Sequence, residues 1–239
     1  MIRALYTAAS GMMVESQKLD VLTNNLANGQ TPGYKAVDLV RASQSAGPAV
    51  PRSDIQTAFA EQFHSPVPGQ LRPTGVPFDF ALEGTGYFAV ETKGGTAYTR
   101  NGHFRRHADG SLTDGAGNAV LGQKGPVQLP NTADVTVAED GTLFAGSKRV
   151  DRLKVVEFAD PRTLRSSGAS LVYPTAAAVP EASEARVLGG TLEDSNVSTV
   201  SEMARMVEAT RAFESYQKVI QTVMDDITGA AVNRIGRVA

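Results

Sequence analysis

The 239-residue chain has no cysteine and no tryptophan, and aromatic residues make up only 6% of it. Without thiols there is no disulfide, no thiolate metal site and no cysteine nucleophile. So few aromatics, set among 23 glycines and 12 prolines, indicate a light core and many turns. Strong charge is missing too. A formal net charge of −2 gives no electrostatic ground for binding nucleic acid or inserting into a membrane. No run of 18 apolar residues occurs, so no helix is expected to span a bilayer. What remains, 41% hydrophobic and 20% charged, is the composition of a globular chain of one large domain or two modest ones.

A more local absence sets the architecture. Proline is missing from residues 1–31 and from 181–239, so nothing there forbids long helices. In the first stretch Leu5, Met12, Leu19 and Leu26 fall seven apart, with Ala8 and Leu22 beside them. In the last, Met206, Phe213, Ile220 and Ile227 fall seven apart, next to a weaker row of Met203, Thr210, Gln217, Met224 and Ala231. That spacing returns side chains to one helix face, as a coiled-coil seam requires. Each stripe needs a partner, and each has the other as a candidate. Helices are therefore expected over about 2–27 and from Thr199 to about Arg234. An isolated pair of this kind is marginal, so further copies of the chain are the simplest additional partners.

Local signals mark the ends. Asn28-Gly29 follows the last apolar position of the first helix, where a left-handed cap is expected. Thr31-Pro32-Gly33 then forces a turn. Thr199-Val200-Ser201-Glu202 has capping-box spacing, with Glu202 reaching back to Thr199.

Between the helices the pattern changes twice. Residues 39–76 hold Gly47-Pro48, Val50-Pro51, Ser65-Pro66, Val67-Pro68-Gly69 and Arg72-Pro73, which reads as an extended connector with one or two short strands. From Phe78 the period is two: Phe78, Phe80 and Leu82 alternate, and Tyr87 to Val90 resumes the run after Gly84-Thr85-Gly86. Turns are expected at Lys93-Gly94-Gly95, Asn101-Gly102, Asp109-Gly110, Asp114-Gly115 and Asp140-Gly141. Further strands are expected at 135–137, 143–144 and 153–158. The fold class is therefore α+β: a discontinuous terminal helical coiled-coil element (1–38 with 190–239), the connector (39–76) and a central antiparallel β-rich domain (77–189).

Candidates for chemistry are few. His103 and His107 with His64 offer imidazoles for zinc, but no cysteine or helical HExxH pattern supports a site. Gly84-Thr85-Gly86 opens like a nucleotide loop and then continues as Phe88-Ala89-Val90, without a third glycine or a helix. Ser195 and Ser198 have no nearby histidine, and Glu214 and Asp225-Asp226 read as solvated helix faces. No catalytic residue, metal or cofactor is expected. Asn24, Asn25 and Asn28 are more interesting. They are either exposed residues near a helix end or, for Asn24 and Asn25, hydrogen-bonding groups that fix register against a neighbouring subunit. Asn24 and Asn28 share a helix face from which Asn25 is turned by about 100°.

Four blocks together resemble the flagellar basal-body rod and hook proteins. They are Leu22-Thr23-Asn24-Asn25-Leu26-Ala27-Asn28 with Thr31-Pro32-Gly33-Tyr34-Lys35; Phe80 to Val90; Tyr98 to Phe104 with Asp109 to Leu112 and Gly117 to Gly122; and Leu192 to Val197 with Arg211 to Glu214. The resemblance covers about half the chain. Its opening, Ala4 to Ala8, and its turn at Thr31 to Tyr34 look most like a proximal-rod member. It implies a non-enzymatic structural subunit of the bacterial basal body. Its terminal helices would pack in the wall of a tubular drive shaft, with the β domain facing outward. It also implies partners in itself, in other axial proteins of the rod and hook, and in the flagellar type III export apparatus. The lack of cysteine suits passage through such a channel, and the opening helix, interrupted by Glu15, Lys18 and Asp20, does not read as a cleavable signal peptide. The expected assembly seam is Leu5, Met12, Leu19, Leu22, Leu26, Met203, Met206, Phe213, Ile220, Met224 and Ile227, with Asn24, Asn25 and Asn28 as inter-subunit polar contacts. A distal-rod or hook-type subunit is the nearest alternative. A phage-tail or fimbrial module with a β head on a helical stalk is the more distant one, disfavoured by the discontinuous terminal helix pair.

Overall fold

A computed structural model describes residues 2–44, 56–130, 135–160, 163–168, 170–175 and 178–235. The chain is α+β, with a helix near each end and antiparallel strands between. It divides into two compact units, one of residues 1–26, 38–62 and 198–239, the other of 27–37 and 63–197.

The first unit holds helix α1 (Ile2–Ala27) and helix α2 (Thr199–Ile235). Both follow the proline-free stretches. Their caps differ from expectation. Gly29 is not left-handed, and α1 ends in a turn closed by Thr31 N–H donating to Asn28 O at 3.0 Å. The left-handed glycine comes later, at Gly33 (φ 68°), where Thr31-Pro32-Gly33-Tyr34 forms a type II turn closed by Tyr34 N–H on Thr31 O. At α2 the capping box does not form. Glu202 N–H donates to Ser198 O, which makes Ser198 the cap, and the Glu202 carboxylate turns away to Asn25 and Arg205. The same unit includes two paired strands, Val37–Gln44 and Gln56–His64, longer than the connector reading implied. Gly47-Pro48 and Val50-Pro51 lie outside the described residues.

The second unit is built on an antiparallel sheet, ten-stranded among the described residues. Across its main path run Leu164–Ser167, Leu171–Pro174, Gly95–Thr99, Tyr87–Thr92, Ala119–Gly122, Leu112–Thr113 and Arg105–Arg106. Alternation in Tyr87–Thr92 explains why both faces are covered. Phe88 and Val90 point to a cluster with Phe80, Phe104, Leu112, Val127 and Leu143, whereas Ala89 points to another with Tyr98, Val156 and Phe158. Phe104 meets Phe88 edge-on at 5.3 Å between centroids, a favoured aromatic geometry.

The expected turns at Asp109-Gly110 and Asp140-Gly141 have positive φ at their glycines, whereas at Asp114-Gly115 the left-handed residue is Gly117, whose N–H donates to Asp114 O at 3.1 Å. Lys93-Gly94 forms a two-residue hairpin loop between paired Thr92 and Gly95. Asn101-Gly102, by contrast, is no hairpin. Gly102 backs onto Phe80, its carbonyl oxygen accepting from Phe80 N–H at 3.0 Å, and a Cβ there would stand 1.6 Å from the Phe80 carbonyl oxygen. The glycine is needed for close approach, not for a turn.

Candidate functional site

Two clusters stand out, one in each unit. In the β unit three charged side chains far apart in sequence meet below the surface. Glu193 ends the short strand Thr191–Glu193, which pairs with Leu71–Pro73. Its carboxylate accepts from Lys35 Nζ at 2.5 Å and from Gly69 N–H at 2.8 Å, and lies 3.6 Å from Arg100 Nη1. Glu193 is 2% exposed, and Lys35 and Arg100 are also buried. Carbonyl oxygens take further donors: Val67 O accepts from Lys35, while Leu82 O and Gly84 O accept from Arg100; Glu193 Oε2 itself accepts no hydrogen bond. Burial pulls the Lys35 ammonium below the usual lysine range, and the Glu193 partner offsets part of that pull.

Backbone contacts tie the same place together. Gly33 N–H donates to Glu193 O at 2.7 Å, Ala36 N–H donates to Asn196 Oδ1 at 2.7 Å, and the Asn196 amide reaches Val67 O. A Cβ at Gly33 would collide with the Arg100 carbonyl at 2.3 Å. The segment leaving α1 and the segment entering α2 are thereby fastened side by side within the β unit. Arg100 Cζ also sits 5.9 Å from the Tyr87 ring centre, in cation–π range. None of these charged residues was singled out as a site in the sequence. Each sits inside a recognised block, but no local pattern marks it as part of a cluster.

In the helical unit, α1 and α2 touch at two described points. Asn25 Nδ2 donates to Glu202 Oε2 at 3.3 Å, both groups being buried. Farther along, a Cβ at Gly11 would lie 2.7 Å from the Tyr216 ring. Fourteen positions separate Gly11 from Asn25 and likewise Glu202 from Tyr216, so the contacts progress in opposite chain directions. Arg205 donates to Glu202 at 3.2 Å and approaches Asp38 at 4.0 Å.

The expected seam residues divide. Leu22 is buried; Leu5, Met12, Leu19, Leu26, Met206, Phe213 and Ile220 are half-buried. Met203 and Met224 are exposed, and the Ile227 side chain lies outside the described residues. The row beside Met206, Phe213 and Ile220 that faces inward is Ala209, Tyr216 and Val223. Thr210 lies on the outer side and donates its hydroxyl to Met206 O. Of the asparagines, Asn25 is enclosed within this chain, Asn24 is exposed, and Asn28 accepts from the Thr31 hydroxyl.

The histidines are engaged separately. His103 Nδ1 lies 2.7 Å from the buried Asp79 carboxylate, and His107 Nδ1 lies 3.2 Å from Asp109, while the His64 side chain is outside the described residues. Among the described residues no three metal-ligating groups converge. The two clusters therefore offer buried locks and exposed apolar surface, the features of a structural protein.

Comparison with known proteins agrees in three places. Residues 5–35 match the family model for flagella basal body rod proteins, 81–145 the D1 domain of flagellar hook protein FlgE/F/G, and 188–233 the C-terminal region of flagellar basal body rod FlgEFG proteins. The chain is 33% identical to the flagellar basal-body rod protein FlgF of Caulobacter vibrioides, over 100% of both chains. It is 34% identical to FlgF of Escherichia coli over 97% of each, and 32% identical to the basal-body rod protein FlgG of Bacillus subtilis over 98% of this chain and 99% of that one. The chain belongs to the flagellar basal-body rod protein family, a non-enzymatic family of structural proteins of the flagellar basal body in the cell envelope.

Proposed function

We propose that this chain is a self-assembling subunit of the flagellar rod, of the FlgF type and at the proximal position. In this reading α1 and α2 pair as a coiled coil and pack against copies of themselves and other axial proteins in the wall of the drive shaft. The division of labour follows the sequence boundaries: residues 1–38 with 190–239 assemble, 39–76 connect, and 77–189 form the outward β domain. The chain reaches its place through the flagellar export apparatus, for which the absence of cysteine is suited.

The observation that carries this reading is apolar surface left over on the helices. Tyr6 and Met13 on α1, and Val200, Met203, Val207, Val219 and Met224 on α2, are exposed; Val200 is 80% exposed and Tyr6 72%. Val200, Met203 and Val207 are spaced three and four apart, a stripe of about two turns on one helix side. Large side chains exposed in such a row mark a surface that is covered on association. Met203 and Met224 then belong to contacts between subunits, and Met206, Phe213 and Ile220 to the contact within one.

The test is motility. Met203→Asp with Val207→Asp puts charges on the outer row and leaves the inner row intact, and Ile220→Asp charges the inner row. Both strains should lose rod assembly and swimming, whereas Lys93→Asp, in a hairpin loop of the β unit, should swim nearly normally. Motile cells with normal basal bodies from both helix variants would sink the proposal.

A further inference from the structure

Heptad-spaced rows carry an ambiguity. Two helices whose apolar residues repeat every seven can slide by seven residues, about 10 Å along the axis, and still place apolar rows together. Something must choose among the alignments. We propose that the Asn25–Glu202 hydrogen bond at one end, and the seating of Tyr216 over Gly11 at the other, fix the register of the terminal helix pair.

Sliding the helices shows why. In one shifted alignment Asn25 faces Ala209, Glu202 passes beyond the end of α1 at Ala27, and Tyr216 faces Lys18. In the opposite one Asn25 faces Ser195, outside α2, and Tyr216 faces Ala4; Glu202 gains Lys18. Asn25 therefore loses its carboxylate acceptor in both. Asn25 is 1% exposed in the observed register, so water does not replace that acceptor at low cost. Tyr216 loses its seat in both as well. Gly11 is the only glycine of α1, and any Cβ at the contact point would stand 2.7 Å from the ring. A polar pin and a steric pin thus reject the same two alternatives by independent physics. A buried asparagine that selects register at some cost in stability is a known device of paired helices.

The absence of native cysteine makes the test clean. Spin labels on Asp20→Cys and Glu214→Cys, both exposed, report the axial offset of the helices by pulsed electron–electron distance measurement on the full chain. The parent should give one narrow distance. Asn25→Leu with Glu202→Leu, which keeps the helix faces apolar, should add a second population, because the axial offset of the two labels goes from about 10 Å to near zero in one shifted alignment and to about 20 Å in the other. Adding Tyr216→Ala should enlarge that population. The exchanged variant, Asn25→Glu with Glu202→Asn, again sets an amide against a carboxylate and should restore the single distance. An unchanged single distance in the triple variant would overturn the proposal. So would a broad, featureless distribution in the parent, or one appearing only in the leucine variant, since the bond would then hold the helices together without choosing their alignment. Two populations persisting in the exchanged variant would assign the effect to local packing and also overturn it.

Discussion

Both units bury polar groups, but they differ in where their large apolar groups lie. The β unit draws charge inward: Glu193, Lys35 and Arg100 are buried and joined, and Phe80, Phe88, Leu112 and Leu143 are fully covered. The helical unit leaves apolar groups outside, with Tyr6, Met13, Val200, Met203 and Val207 on its surface. A unit that buries its large side chains and pairs its charges internally needs little from a partner, although Glu193 Oε2 keeps only the 3.6 Å approach of Arg100. One that leaves a row of large side chains in water is completed by association. The contrast teaches where each unit is most sensitive: the β unit to loss of an internal partner, the helical unit to change on either side of its helices.

The largest expected effect breaks the closure of the β unit. Glu193→Ala leaves Lys35 and Arg100 buried without their carboxylate. Removing one partner of a buried ion pair costs on the order of 3–5 kcal/mol, because the remaining charge is desolvated and unpaired. With no tryptophan in the chain, tyrosine fluorescence or near-ultraviolet circular dichroism through a urea titration reads this loss. An effect below about 1 kcal/mol, the range of surface ion pairs, would mean that the cluster is not a closed interior.

A smaller pair of truncations sharpens the contrast. Leu112 is fully buried in the β unit, and Leu112→Ala should lower its stability by about 2–5 kcal/mol. Leu22 is equally apolar and buried, but in α1. Leu22→Ala should leave the β-unit transition where it was and speed proteolysis within the helical unit, leaving a resistant core of residues 27–37 and 63–197. If both substitutions shifted one common transition equally, the units would unfold as one and the division would fail.

How much of this was legible in the sequence depended on the range of the signal. The helices were readable because proline is absent and rows of apolar residues persist over many turns. Which side of α2 faces inward was not. Met206, Phe213 and Ile220 have neighbours three before them (Met203, Thr210, Gln217) and three after (Ala209, Tyr216, Val223). Methionine draws attention to the first row, but Gly11 on the partner helix supplies the seat that turns Tyr216, and with it the second row, inward. Likewise Asn101-Gly102 carries hairpin chemistry by local criteria, and only the Phe80 backbone behind Gly102 decides otherwise. The Glu193 cluster was invisible to any local pattern, since Lys35 and Arg100 reach the strand-end Glu193 from segments distant in sequence.

The smallest expected effect tests a turn that was legible. Asp109 caps its own hairpin: Oδ1 accepts from both the Ser111 hydroxyl, at 2.6 Å, and the Ser111 N–H, at 2.9 Å. These bonds favour the ionised form and lower the carboxyl to about 2, from an ordinary 3.8, with His107 Nδ1 a minor contributor. The sign follows from proton counting. Between about pH 4 and pH 2 the unfolded chain binds a proton at this position that the folded chain does not. The contribution of Asp109 is therefore fully present above pH 4 and is lost as pH falls toward 2. Asp109→Asn keeps an oxygen acceptor for Ser111 and removes the titration. At pH 7 its melting temperature should fall only slightly, because the side chain is solvent-exposed and its charge is screened. The expected difference lies in the slope, with the acid limb of melting temperature against pH being shallower for the variant below pH 4. Parallel limbs for the two proteins would show that the Ser111 bonds do not hold Asp109 ionised, and that this turn owes its shape to the left-handed Gly110 alone.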